Sequence, residues 1–239
     1  MCEHYIARAA EPFALAELWP FTERMERFGI AGFGWGATWL GEDGALHTHR
    51  DVRAFRDDPD GQARVGAVRT TAALVHLRRP SRLSTLSLPD TQPFEDPAGR
   101  FSFSHNGDLA DYHGLRRQYR TQGRIHGRAD TEVGARWLED AWRPDEPVAH
   151  LLAALHDRFK GDANLAVLTA DGEPHHYAGN GENPVFSFRL GSIGIVATGI
   201  YSLDRSLFRF VAPRATERRL IRLRTTVTLD GAGQARSAP

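Results

Sequence analysis

Phe101-Ser102-Phe103-Ser104-His105-Asn106-Gly107-Asp108-Leu109 alternates apolar and small polar side chains and then runs into Asn-Gly. Period-two alternation predicts a strand over 101–105. Asn-Gly predicts a turn at its end, since both residues tolerate turn backbones. The same pair has a second reading. Aimed into a cleft, the Asn106 side-chain amide and the Gly107 backbone N–H are two donors able to hold a tetrahedral oxyanion. One such donor is worth about 2.7–4 kcal/mol of transition-state stabilisation.

Working outward, the pattern switches between periods of two and 3.6 in blocks. Tyr5–Ala9 reads as a short strand and 15–28 as helical, with Pro20 breaking the helix or starting a new one. Residues 32–40 and 45–49, joined by Gly41-Glu42-Asp43-Gly44, read as a hairpin. Residues 72–78 form a further strand candidate, and 82–99, rich in Ser, Pro and Asp, a long loop. Helical spacing covers 112–122, 131–142 (with Val133, Trp137 and Trp142 on one face) and 148–159. Strand patterns follow at 165–169, 175–178, 185–190 and 193–198, and 218–229 closes the list. Blocks of strands separated by blocks of helices predict an α+β layered fold. One domain over residues 2–230 is expected, with 231–239, small and polar, as a flexible tail.

The 239 residues hold 30 Lys+Arg against 30 Asp+Glu, a net charge of zero that argues against a nucleic-acid or acidic-membrane binder. No stretch approaches the ~20 apolar residues of a membrane span. The N-terminus lacks a signal-peptide layout, so a cytoplasmic protein is the expectation. Cys2 is the single cysteine, which rules out an intrachain disulfide and a cysteine-based zinc cage. His47 with His49, and His175 with His176, lack a carboxylate partner at ligand spacing, and no metal site is assigned. Gly32-Phe33-Gly34-Trp35-Gly36 fails as a dinucleotide loop, because no helix follows it.

A lone cysteine is usually a small buried hydrophobe. Position 2 opens another role. Aminopeptidase removal of Met1 leaves a thiol and a free α-amino group on one residue. Their reference pKa values are ~8.5 and ~7.7–8.0, so the amine can take the thiol proton near neutral pH. Nucleophile and general base then share one residue.

Cys2, Val75-His76-Leu77-Arg78-Arg79-Pro80-Ser81, Asp90-Thr91-Gln92-Pro93-Phe94, Ser104-His105-Asn106-Gly107-Asp108-Leu109 and Ala129-Asp130-Thr131-Glu132, in this order, resemble the class II glutamine amidotransferases, which are N-terminal-nucleophile hydrolases. The resemblance covers roughly residues 2–200 and is strongest to the stand-alone bacterial type. It implies a four-layer αββα sandwich and a cysteine amidohydrolase cleaving the side-chain amide of L-glutamine, or a γ-glutamyl amide, through a γ-glutamyl thioester. No metal or organic cofactor is implied. Cys2 matches the nucleophile, and Asn106 and Gly107 the oxyanion-hole pair. Arg78 matches the grip on the glutamine α-carboxylate and Asp130 the grip on the α-ammonium. A guanidinium fork suits a carboxylate. Residue type alone leaves surface ion pairing open for Arg78 and Asp130. Arg79 would face the other way along a strand.

The sequence departs from the family in two places: Asp90 stands where Asn usually opens the Pro-Phe motif, and Ala197-Thr198-Gly199-Ile200 replaces a Ser-Glu-Pro motif. Phe33-Gly34-Trp35-Gly36 resembles the family's early glycine-rich strand, whose backbone approaches the substrate. Three alternatives to a free-standing glutaminase stay open. One is an ammonia-supplying subunit for a separate synthase, another a hydrolase of a biosynthetic γ-glutamyl intermediate, the third a non-catalytic glutamine-binding module. A homo-oligomer is also compatible with the sequence.

Overall fold

A strand buried on both faces sorts its residues by parity, and the first strand sets the pattern. In the computed structural model, which describes residues 2–80, 83–199 and 208–238, β1 (Glu3–Ala14) runs through a 3-10 turn at Leu15–Leu18 into α1 (Trp19–Phe28). Pro20 stands in the first turn of α1, where its missing N–H has no partner to lose, so it starts the helix. β2 (Trp35–Leu40) and β3 (Leu46–Asp51) pair as the expected hairpin. α2 (Pro59–Gly66) has no counterpart in the sequence reading. It starts because the buried Asp58 carboxylate accepts the Gly61 N–H at 3.0 Å.

β4 (Arg69–Leu77), β5 (Phe94–Glu95) and β6 (Phe101–Gly107) follow. The long loop before β5 contains 3-10 turns at Leu83–Thr85 and Leu88–Asp90. Three helices come next: α3 (His113–Thr121), α4 (Asp130–Ala141) and α5 (Val148–Phe159). The chain closes with β7 (Ala163–Thr169), β8 (Pro174–Ala178), β9 (Val185–Leu190), β10 (Ile193–Thr198), β11 (Thr216–Leu220), β12 (Thr225–Leu229) and β13 (Ala235–Ala238).

The strands form two antiparallel sheets, ordered β11-β9-β10-β1-β4-β2-β3 and β13-β12-β8-β7-β6-β5. Tyr5, Ala7, Val75 and Ile195 face one way, onto a core with Leu18, Trp19 and Met25. Phe101, Phe103, Leu165 and Val167 of the second sheet face Leu138, Leu152 and Leu155 of α4 and α5. The opposite parities, Ile6, Leu74 and Val196 against Ala166, Leu168 and Val227, meet between the sheets. The result is the four-layer αββα sandwich. Among the described residues no helix is long and apolar enough to cross a membrane.

Two expectations are corrected. The segment 218–229 is two strands in different sheets, β11 pairing with β9 and β12 with β8. The tail is ordered through residue 238: β13 pairs with β12 over Thr226↔Ala238 to Leu229↔Ala235. Small polar residues made it look frayed, but they build a hairpin turn. The Asp230 carboxylate accepts the Ala232 and Gln234 N–H groups at 3.0 and 2.9 Å, and Gly233 adopts φ 72°. Ser81, Arg82 and Ile200 of the quoted motifs lie outside the described residues.

Glu3 shares the parity of Tyr5 and is fully buried against the α1–β2 loop, its Oε1 accepting the Ile30 N–H at 3.2 Å. Burial pushes its carboxyl up from 4.5 to about 7. A carboxyl whose pKa rises on folding adds stability below its unfolded value and loses it as pH climbs through the folded one. Between pH 4.5 and about 7 Glu3 therefore costs stability progressively, on the order of 3 kcal/mol in all. Glu3→Gln is expected to flatten this part of the stability–pH curve, read by urea unfolding at pH 5 and pH 8.

Candidate active site

Parity brings the site together. Cys2 precedes β1 in phase with His4 and Ile6; Arg78 follows β4 in phase with Leu74 and His76; Asn106 stands next to last in β6, in phase with Ser102 and Ser104. All of these point between the sheets, at one end of the sandwich. Cys2, Arg78, Gly107 and Asp130 line one cavity of about 700 Å³. Asn106 adjoins them: its Oδ1 accepts from the Cys2 nitrogen at 3.4 Å.

The Cys2 thiol lies in a backbone notch. It donates to the Arg79 carbonyl at 3.5 Å, and the Arg79 N–H donates to Sγ at 3.3 Å. Burial pushes the thiol's pKa up, while the Arg79 N–H and the Arg78 charge pull against it. Asn106 is completely buried, and its Nδ2 donor has no partner among the described residues. Gly107 has φ 131°, and a Cβ there would lie 1.7 Å from the Asp162 carbonyl oxygen, so no other residue fits.

Arg78 is 3% exposed and makes no ion pair among the described residues. Its Nη2 donates to the Thr85 carbonyl at 2.5 Å and to Thr85 Oγ1 at 3.0 Å, while Nη1 is buried without a partner. Burial lowers its pKa from the usual arginine value. The 32–36 segment brackets Arg78 from behind. Gly34 O accepts the Arg78 N–H at 2.9 Å, and Arg78 O accepts from Gly32 and Phe33.

Asp130, Thr131 and Glu132 open α4 and do three different things. The Asp130 carboxylate accepts the Leu109 and Thr131 N–H groups, both at 2.9 Å, and faces the cavity. Thr131 Oγ1 meets His105 Nδ1 and Gln92 Nε2, both at 3.1 Å, and Gln92 Oε1 accepts the His105 N–H at 2.7 Å. This ties the end of β6 to the start of α4. Glu132 accepts the His126 and Gly127 N–H groups at 2.8 and 2.7 Å. Asp90 accepts from the Arg128 and Ala129 N–H groups.

Sequence reasoning missed the layer directly behind these groups. Ser104 Oγ lies 2.9 Å from His4 Nδ1 and 2.8 Å from His76 Nδ1, bridging the two sheets. The His176 ring stands edge-on to His4 at 4.7 Å. Each bridge member sits two residues from a site residue: His4 from Cys2, Ser104 from Asn106, His76 from Arg78. The hydroxyl can donate to only one ring, so the other ring must donate to it. All three histidines are fully buried, and burial drives their pKa values down.

His49, Asp51 and Asp58 come within metal-ligand reach of one another, but Arg53 already pairs with both carboxylates, at 2.8 and 2.5 Å. A cation is thus supplied from within the chain. Replacing Ser104 by Ala strands two facing ring nitrogens in a dry layer. The expected loss is about 1–3 kcal/mol of folding stability, measured by urea unfolding.

Comparison with known proteins agrees with this geometry. A family model described as a glutamine amidotransferase domain matches residues 81–204, just over half of the chain. Glutamine–fructose-6-phosphate aminotransferase (isomerizing) of Geobacillus kaustophilus is 25% identical over 181 residues, covering 74% of this chain and 29% of that protein. The fold matches glutamine phosphoribosylpyrophosphate amidotransferase of B. subtilis with a TM-score of 0.74 at 19% identity, over 99% of this chain and 49% of that one. It also matches a glutamine aminotransferase class-II domain protein from Silicibacter pomeroyi, with a TM-score of 0.64 at 17% identity over 98% of both chains. The chain spans under a third of the first relative and about half of the second. The chain belongs to the glutamine amidotransferase domain family, and it shares the fold of the amidotransferase and the class-II domain protein above.

Proposed function

We propose that the protein hydrolyses the side-chain amide of L-glutamine, or of a γ-glutamyl amide with the same head group, through a γ-glutamyl thioester on Cys2. The observation that carries this reading is a pair of unmet donors beside the single thiol. Asn106 Nδ2 and Arg78 Nη1 are both buried and, among the described residues, both without partners. Buried donors without acceptors are costly unless a ligand supplies them. An oxyanion answers the first and a carboxylate the second. Asp130 offers the α-ammonium its charge, with both oxygens already oriented by backbone N–H groups.

Removal of Met1 makes the Cys2 nitrogen a primary amine, beside Asn106 Oδ1. The amine takes the Sγ proton, and the thiolate attacks the amide carbon. The oxyanion that forms is held by Asn106 Nδ2 and the Gly107 N–H. As it collapses, the C–N bond breaks and the departing nitrogen takes the proton from the Cys2 ammonium. Water then adds to the thioester and gives a proton to the same amine. The C–S bond breaks, the sulfur recovers its proton, and γ-carboxylate product leaves. The raised thiol pKa fits a nucleophile that is neutral at rest and needs this base.

A second reading, cleavage of a γ-glutamyl amide larger than glutamine, is favoured by the cavity, which at about 700 Å³ exceeds what one amino acid fills. Intact-mass measurement before and after treatment with a diazo-ketone glutamine analogue tests the shared mechanism. The expected result is loss of Met1 and one covalent adduct, abolished by Cys2→Ser. A retained Met1 without an adduct would overturn it. Asp130→Ala is expected to raise KM for glutamine by roughly tenfold or more, the scale of a charge-assisted contact.

A further inference from the structure

We propose that the cavity holds a leaving-group subsite for a polar, cationic amine, so that the preferred substrate is a γ-glutamyl amide of such an amine rather than glutamine itself. This deepens the reading above and rests on Cys2 cleaving a γ-glutamyl amide.

The order of strands sets the direction. In the second sheet β6 carries Asn106 and Gly107, and β5 on one side leads to Gln92 and the start of α4, where Asp130 stands. The head group is held on that side. On the other side of β6 come β7, preceded by Asp162, and β8, followed by Asn180 and Glu182. All three of these residues line the same cavity. Asp162 abuts the oxyanion position directly: its carbonyl accepts the Asp108 N–H at 2.9 Å, next to Gly107. Asn180 is held against β7 by Asn164, which sits opposite Asn106 and whose Oδ1 accepts the Asn180 N–H at 3.1 Å. A group bonded to the scissile nitrogen, pointing away from Arg78 and Asp130, meets this wall.

The wall's chemistry is specific. Among the described residues, the Asp108 and Asp162 carboxylates enter no ion pair and accept no hydrogen bond. Asp108 neighbours both Asp130 and Asp162, so it stands where the head-group side meets this wall; partial burial, then those charges, hold its carboxyl above the usual range. Arg79, which also lines the cavity, is engaged through Nη1 by the Ile30 carbonyl at 3.1 Å. Independently of the acids, Asn180 is 3% exposed and its Oδ1 is engaged by the Glu182 and Asn183 N–H groups at 2.9 and 3.2 Å. Among the described residues its Nδ2 donor makes no hydrogen bond, and the residue lines the cavity. Departing ammonia is too small to reach the carboxylates and the Asn180 donor together. A leaving amine with a cationic end and one acceptor would use the carboxylates and the Asn180 donor together.

The test compares kcat/KM of the full-length, Met1-processed protein for four substrates: L-glutamine and the γ-glutamyl amides of butylamine, 1,4-diaminobutane and 4-aminobutyrate. The three conjugates share length and differ in terminal charge. The expected order is cationic over neutral by tenfold or more, with anionic last, and the preference should weaken as salt is raised. In Asp162→Asn and Glu182→Gln the cationic-to-neutral ratio should fall toward one; a ratio taken within one preparation is insensitive to partial misfolding. Cys2-dependent cleavage in which the neutral conjugate or glutamine equals the cationic one would overturn the subsite and leave the mechanism standing. So would a preference that survives both substitutions. Failure to cleave any of the four, or cleavage retained in Cys2→Ala, would overturn the mechanism itself.

Discussion

Parity on strands that are buried on both sides is the constraint from which the site follows. β1 is paired on both edges, Tyr5 facing Val75 on one neighbour and Ala197 on the other. A slip of one residue would exchange the inter-sheet set, Cys2, His4 and Ile6, with the helix-side set, Glu3, Tyr5 and Ala7. It would send a carboxylate between the sheets and bury the thiol under α1. Arg78 and Asn106 obey the same rule on β4 and β6. Three residues far apart in sequence meet because they share a phase on strands that already had to be in register.

The transition from core to site is graded. Ile6, Leu74 and Val196 make a dry layer; one step toward the open end stand His4, His76, Ser104 and His176; one step further are Cys2, Arg78 and Asn106. The intermediate layer is polar yet uncharged, since burial disfavours the imidazolium in all three histidines. That neutrality matters for the proposed chemistry. A permanent cation two residues behind Cys2 would keep an adjacent amine from holding a proton, and the amine must both take and return one in each half of the reaction.

Much of this was legible in the sequence. α5, β9 and β10 fall where periodicity puts them, and the hairpin turns at its glycines. Cys2, Arg78, Asn106, Gly107 and Asp130 were named from motif order, and the fold brings them to one end of the sandwich. What stayed hidden depends on partners that no local pattern reveals. α2 is short, and its start rests on Asp58. The β13 hairpin rests on one carboxylate, Asp230, amid residues that look like a loose tail. His175 and His176 carry no role in the sequence reading, yet alternation sends His175 to Thr228 at 2.8 Å and His176 into the polar layer. That layer draws on four strands, so only the stacking of the sheets assembles it.

The Asp90 departure shows how a changed residue can keep its task. Its Oδ1 takes the Arg128 and Ala129 N–H groups, and its Oδ2 takes the Ser87 hydroxyl at 2.8 Å; every partner is a donor. Asparagine could serve the two backbone groups but would turn an NH2 toward Ser87. A carboxylate suits this loop at least as well. The loop's polar groups are almost fully accounted for: Glu132 takes the N–H groups of 126 and 127, Asp90 those of 128 and 129, and Arg116 caps the carbonyls of 127 to 129. Asp130 therefore begins its helix from a fixed platform, and the Asp130 side of the cavity is preorganised. Among the described residues the Asp162 carboxylate and the Asn180 amide nitrogen have no such internal partners. Unmet donors thus stand at both ends of the cavity among the described residues, Arg78 Nη1 and Asn106 Nδ2 at one and Asn180 Nδ2 at the other, each on backbone that is itself fully held.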